Sequence, residues 1–353
     1  MSTTTLVTRT TPTDHVEYLW DAVLAGDEYA ARDVVSAALD DGLTAESVLL
    51  DVIGAVQRRV GVEWATDRIN VAQEHVATAI NERVIGALQS YTGRPAVRHG
   101  RITVACVDGE WHALPARLLS ETLTLRGFRV DYLGAQVPTP HLIAHLHRTA
   151  PDAVALSNSI PTRLPTAHAT ITACQAAGVP VIVGGAAFGP DGRYAKLLGA
   201  PAWAPDARAA ADRLLGPPLP RSTDLHQPID DLPHLADQEY SMIARSATSL
   251  VSSVCTALAQ RWPAMSEYTD QQREHTAEDV AHIVDFLATA LYVGDVELFT
   301  GFLTWTASIL SARGVPPRSL GVGLALLTTE LRDFARASQF LAAGIAHVDG
   351  IDA

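Results

Sequence analysis

The chain has 353 residues, room for two or three domains, and 48% of them are hydrophobic against 18% charged, which excludes a globally disordered protein. With 26 Lys and Arg against 39 Asp and Glu the net charge is −13, which excludes nucleic-acid binding driven by the overall field. Three isolated cysteines, Cys106, Cys174 and Cys255, exclude a zinc knuckle and a disulfide framework, and read as small buried side chains.

Residues 1–13 lack the apolar core of a signal peptide and read as a disordered N-terminus. No apolar run reaches the roughly 18 residues of a membrane span. The expectation is a cytoplasmic protein without membrane contact.

Residues 14–97 carry helical periodicity only. Asp14 is placed to cap a first helix with Val16, Leu19, Trp20 and Val23 on one face. Further helices are expected over 29–39, from Thr44 onward, and over 71–91. Short links between amphipathic helices predict a four-helix bundle.

Residues 98–216 change period. Strands are expected at 102–107, 128–133, 153–157, 179–183 and 200–204, with helices at 114–125 and 140–148 between them. Alternating strands and helices predict a parallel sheet covered on both faces, with ligands beyond the carboxyl ends of its strands. The proline-rich stretch 217–233 reads as a linker. Residues 234–353 return to helix: 235–260, 276–292, 296–313 and 317–341. The predicted architecture is therefore multidomain: an N-terminal four-helix bundle, a central α/β Rossmann-like (flavodoxin-like) domain, and a C-terminal all-α bundle.

Three constellations carry chemistry. The first is Glu110-Trp111-His112, after the first strand. An acid two residues before a His can hold one imidazole N–H and leave the other nitrogen for a metal, although such a triplet alone is usually solvated. The second is Trp64 with Glu74 and His75, which alone read as a core Trp and a polar helix surface. The third is Arg273, His275, Asp279 and His282, with Arg245 on the preceding helix. His275, Asp279 and His282 share one helix face. They read either as a solvated face or as a pocket for a large, flat, acidic ligand. Arg245 and Arg273 would pair with its carboxylates, and Tyr268, Tyr292, Phe299, Phe302 and Trp305 would pack on its rings.

Glu110, His112, then Ser157-Asn158-Ser159, then Gly184-Gly185 resemble the cobalamin-binding domain, whose pattern is D/E-x-H-x-x-G, S-x-L and G-G. The resemblance implies His112 as the lower cobalt ligand and Glu110 as its partner. It implies a slot for the nucleotide tail lined by Ser157, Ser159, Gly184 and Gly185. Pro115 stands where the pattern has its last glycine, and Ser159 where it has Leu.

Trp64, nine residues, then Glu74-His75 resemble the helical cap of the CarH-type light-responsive repressors. That implies adenosylcobalamin, with Trp64 shielding the adenosyl group and Glu74 and His75 contacting it. Ala65 stands where those repressors carry a His, so an upper imidazole from position 65 is impossible. About 13 residues precede Asp14, and direct DNA binding is not expected. Followed by such a bundle, the whole resembles the photocobilins, which join adenosylcobalamin and the bilin biliverdin in one photoreceptor. That resemblance implies a bilin at Arg245, Arg273, His275, Asp279 and His282, unattached because no cysteine marks a thioether. The expectation is a light sensor rather than an enzyme, acting through a light-dependent homo-oligomer and an unidentified downstream partner. The alternatives are a corrinoid carrier for methyl transfer and a bilin-free cobalamin sensor. A mutase is disfavoured because no segment remains for a (β/α)₈ barrel.

Overall fold

The computed structural model describes residues 11–93, 95–221, 228–261 and 268–351. Residues 1–10 of the expected N-terminal segment and 222–227 of the expected linker lie outside them.

Helix α1 (Pro12–Leu24) starts three residues earlier than a cap at Asp14 implies. Thr11, not Asp14, is its N-cap, and Asp14 completes the capping box, with Pro12 in the first turn. α2 (Glu28–Asp40) follows, capped by Asp27. α3 (Ala45–Ser47) runs through a wider π-helical stretch, Val48–Ile53, into α4 (Gly54–Ala65) without a break. α5 (Val71–Thr92) begins at a capping box of Asn70 and Gln73. These helices bury Leu19, Val35, Leu49, Ile53, Val56 and Ile80 in one apolar core.

The central sheet contains β1 (Arg101–Cys106), β2 (Arg129–Gly134), β3 (Ala153–Ser157), β4 (Val181–Gly184) and the short β5 (Trp203–Ala204). All its pairings are parallel, in the order β2-β1-β3-β4-β5. That is the flavodoxin-like doubly wound order. α6 (Ala113–Leu125), α7 (Thr139–Thr149), α8 (Leu164–Ala176), α9 (Arg193–Leu197) and α10 (Ala207–Leu215) connect or flank the strands. Alternation along β3 divides the two faces. Ala153 and Ala155 join the core beneath α6 and α10, whereas Val154 and Leu156 join the core beneath α7 and α8. α6 also turns Leu114 and Leu118 into the core of the N-terminal helices. Glu46 of α3, held by Arg126 and Arg208, ties the same two layers at the far end of α6.

The stretch read as linker ends in structure. Pro228–Asp231 forms α11, and Leu232 is buried. The last helices are α12 (Glu239–Arg261), α13 (Asp270–Val293), α14 (Val296–Ala312), α15 (Arg318–Glu330) and α16 (Ala335–Ile351). By length and composition α12 could cross a membrane. Here Ile243, Leu250, Val254 and Leu258 face the bundle core. Where one helix is expected over 317–341, the chain makes two. The carboxylate of Glu239 accepts hydrogen bonds from the Arg336 and Ala337 N–H groups, at 3.0 and 2.8 Å, so a new helix starts at Ala335. The bundle core is continuous with the α7/α8 side of the sheet. Buried His168 fastens the junction, with Nδ1 2.9 Å from the Tyr292 hydroxyl and Nε2 3.0 Å from Asp231. Tyr194 donates to Asp295 beside it, at 2.8 Å.

Candidate functional site

The loop after β1 turns at Gly109, which has a φ of 77°. The turn sends Glu110 inward until no part of it is exposed. A lone buried carboxylate is costly, and four N–H groups meet this one. His112 donates to Oε1 from its main chain at 2.8 Å, and its Nδ1 lies 2.6 Å from the same oxygen. The Ser159 and Ile160 amides donate to Oε2 at 2.7 and 2.9 Å. Burial pushes the Glu110 carboxyl up. The bonds from His112, Ser159 and Ile160 outweigh it and hold the group at about 2.

A carboxylate only accepts, so Nδ1 of His112 carries the hydrogen and the neutral ring keeps its lone pair on Nε2. Among the described residues Nε2 has no hydrogen-bond partner, and the side chain is 35% exposed. Trp111 stacks on the ring, with centroids 4.1 Å apart. The result is an imidazole fixed in tautomer and orientation, offering one ligand atom. Among the described residues no three His, Cys, Asp or Glu side chains converge as a metal cage. The arrangement therefore fits a metal that arrives with its other ligands. Cys106 does not compete: burial, then the Glu110 charge, push its thiol up to about 12.

Beside this loop, at the carboxyl ends of β3 and β4, lies a cleft of about 110 Å³. Ser157, Gly184, Gly185, Pro115, Ala204 and Pro205 are among its lining residues. Gly185 has a φ of 104°, and a Cβ there would sit 2.3 Å from the Asn158 carbonyl oxygen. Only glycine lets the backbone take this path. Pro115 falls in the first turn of α6, where its missing N–H removes no intrahelical bond. Ser159 departs from expectation: its amide is spent on Glu110, and it is not among the cleft residues.

Trp64 lies in the last turn of α4, and Glu74 and His75 in the opening turns of α5, so the three flank one helix–helix corner. Glu74 sits at the end of a polar chain that sequence reasoning missed. Buried Asn81 donates to Gln57, Gln57 donates to Thr78, and Thr78 donates to Glu74, with each bond 2.8–2.9 Å. His75 is more exposed, with Nδ1 2.9 Å from the Val71 carbonyl and 2.6 Å from Glu74.

In the C-terminal bundle the expected cluster separates. Arg273 folds back on the Tyr268 carbonyl, and His275 pairs with Glu278 on the surface. No contact joins Arg245 to Arg273 among the described residues. Tyr292 and Phe299 are core side chains, because His168 and Tyr240 hold the first and α16 covers the second. Asp279 keeps solvent contact, yet loss of hydration raises its carboxyl above the ordinary range. His282, His275 and Arg313 pull against that rise. Loss of hydration likewise raises Asp285, against His282 and Arg163. Arg313 joins this end of the bundle to the N-terminal helices. It is the C-cap residue of α14, and its guanidinium lies 5.5 Å from the Trp64 ring centroid.

Residues 100–213 match the B12 binding domain, and residues 16–89 match a second B12 binding domain model. The HTH-type transcriptional repressor CarA of Myxococcus xanthus is 33% identical over 180 residues. That match covers 48% of this chain and 57% of the repressor, so the chain spans little more than half of its curated relative. The monomethylamine corrinoid protein of Methanosarcina barkeri is 19% identical, with a TM-score of 0.47, covering 58% of this chain and 99% of that one. A cobalamin-binding protein of Desulfitobacterium hafniense is 21% identical, with a TM-score of 0.32, covering 57% and 98%. The chain carries B12-binding domains, and His112, Glu110 and the glycine pair fall within the matched region.

Proposed function

We propose that this cobalamin-binding chain is a light-responsive protein that takes adenosylcobalamin and, in its C-terminal bundle, a bilin. The observation that carries the reading is the Glu110–His112 pair, with its unpartnered Nε2 at the carboxyl end of the sheet. His112 would hold the cobalt through Nε2, with Glu110 keeping its tautomer. The cleft at Ser157, Gly184 and Gly185 takes the nucleotide tail displaced by that imidazole.

When bound, adenosylcobalamin supplies a cobalt–carbon bond that light breaks. Trp64 and Glu74 then have distinct tasks. The indole would cover the adenosyl group against water, and the Glu74 carboxylate, oriented by Thr78, would accept from one of its hydroxyls. The Trp64–Glu74–His75 spacing, through its resemblance to the CarH-type cap, supports the adenosyl form. Ala65 brings no imidazole to the upper side, so His75 or water would fill the position once the adenosyl group has left. The bilin reading rests on the photocobilin resemblance and on the Asp279–His282 face, where Arg313 is the nearby cation suited to a propionate. With the cofactor bound, Trp64 and Glu74 would tie the N-terminal helices to the sheet domain, and a light-dependent change in that tie would pass to oligomeric state or to a partner in the cytoplasm, without contact to DNA.

Dark reconstitution with adenosylcobalamin followed by green illumination tests the reading. Cobalamin bands should change irreversibly, and added biliverdin should give a red-absorbing protein-induced band. A light-inert cobalamin spectrum overturns the sensory reading in favour of a methyl carrier. An unshifted biliverdin spectrum leaves a bilin-free sensor. His112→Ala should lose most cobalamin affinity.

A further inference from the structure

The contact between the N-terminal helices and the C-terminal bundle is aromatic. The Trp64 and Trp305 ring centroids are 6.5 Å apart, tilted by 35°. The Arg313 guanidinium lies 5.5 Å from the Trp64 centroid, and its Nε is 3.8 Å from Asp67, three residues beyond that Trp. Trp305 is 48% exposed, so it is not an ordinary core side chain. Its other ring neighbour is Phe302, at 6.4 Å, which stacks in parallel on Phe286 at 3.8 Å. Phe286 lies one helical turn beyond His282 on α13. A run of four rings thus leads from the Trp64 corner to the Asp279–His282 helix.

We propose that Trp305 and Arg313 are positioning residues for Trp64: the C-terminal bundle holds the indole in its shielding pose and couples itself to the upper cobalt ligand. The proposal rests on the reading that Trp64 covers the adenosyl group. Trp64 lies in the last turn of its helix, half-buried against the core of the N-terminal helices, and the part of its ring left uncovered needs a second neighbour to fix its pose. Trp305 packs on it, and Arg313 braces it through the ring and through Asp67. The bundle thereby stabilises the pose that favours an adenosyl ligand. By linkage, an adenosyl ligand favours the docked bundle to the same degree.

The test is the ratio of affinities for adenosylcobalamin and hydroxocobalamin, measured in the dark on the full chain by absorbance titration. Trp305→Ala and Arg313→Ala should each lower the preference for adenosylcobalamin roughly three- to tenfold, with hydroxocobalamin binding unchanged. Trp305→Phe should restore most of it. Combined with Trp64→Ala, neither change should add further loss, because the group being positioned is gone. If Trp64→Ala lowers the ratio but Trp305→Ala and Arg313→Ala do not, the positioning role is refuted and the functional reading stands. Equal weakening of both cobalamins refutes it as well, since that outcome reports general damage. If Trp64→Ala itself leaves the ratio unchanged, the shielding role fails and the positioning role fails with it.

Discussion

Glu110→Gln isolates the argument about the candidate site. The carboxylate has two oxygens, and each faces two N–H groups: the main chain and Nδ1 of His112 on one, the Ser159 and Ile160 amides on the other. A glutamine of the same shape has one oxygen and one NH₂. With its NH₂ toward Ser159 and Ile160 it leaves two buried donors unsatisfied; with its NH₂ toward His112 it leaves one, because the imidazole can change tautomer and accept. Each unsatisfied buried donor costs about 1–3 kcal/mol, so the variant should lose about 1–6 kcal/mol. A second loss falls on function. Where the NH₂ faces His112, the hydrogen on Nδ1 is no longer favoured and Nε2 is no longer kept as a ligand atom. Outer partners of metal-bound His residues are worth about 10–100-fold in affinity. Urea unfolding by circular dichroism measures the first effect, and cobalamin titration in the dark measures the second. An unchanged urea midpoint together with an affinity within about twofold of wild type would refute the four-donor account.

Three other outcomes follow from the same structure. Glu110 titrates at about 2 in the folded chain against an ordinary 4.5, so its contribution is fully present above pH 4.5 and is lost as pH falls through about 2. The difference is worth about 3 kcal/mol. Acid unfolding of wild type should thus show a stability loss between about pH 4.5 and 2 that Glu110→Gln lacks, and parallel curves would contradict it. Gly185→Ala forces a Cβ to within 2.3 Å of the Asn158 carbonyl at a φ of 104°. It should cost about 1–3 kcal/mol or more and narrow the tail cleft, which melting and cobalamin titration together would register. Glu239→Ala removes the acceptor for the Arg336 and Ala337 amides. It should cost about 1–2 kcal/mol and loosen α16 first, visible as faster amide exchange confined to its opening turn. Uniform exchange across the bundle would argue against a capping role.

Much of this protein was written locally. The strand expected at 153–157 matches to the residue, and the parallel sheet follows from apolar runs alternating with helices, since both signals are contiguous in sequence, whereas the strand order is set by the structure. The same holds for Glu110-x-His112: two residues of separation let one loop bring the acid to the imidazole, whatever the rest of the chain does. Features resting on distant partners were invisible. α8 carries small and apolar residues on all sides, so little contrast marks the face of Leu164, Ala167, His168, Ile171 and Cys174 that is buried between the sheet and the C-terminal bundle. The break between α15 and α16 has neither glycine nor proline, and comes from Glu239, nearly a hundred residues upstream. Likewise the site's electrostatics needed the Ser159 and Ile160 amides from a second strand end, and the Trp64 corner needed Trp305 and Arg313 from another layer. Composition, charge and local pattern therefore determined the layers and named the candidate ligand atom. Only chain closure decided which buried groups were satisfied and which helices met. A buried polar group or an exposed ring is stabilised by whatever lies beside it in space, and sequence order records that neighbour only when it is close by.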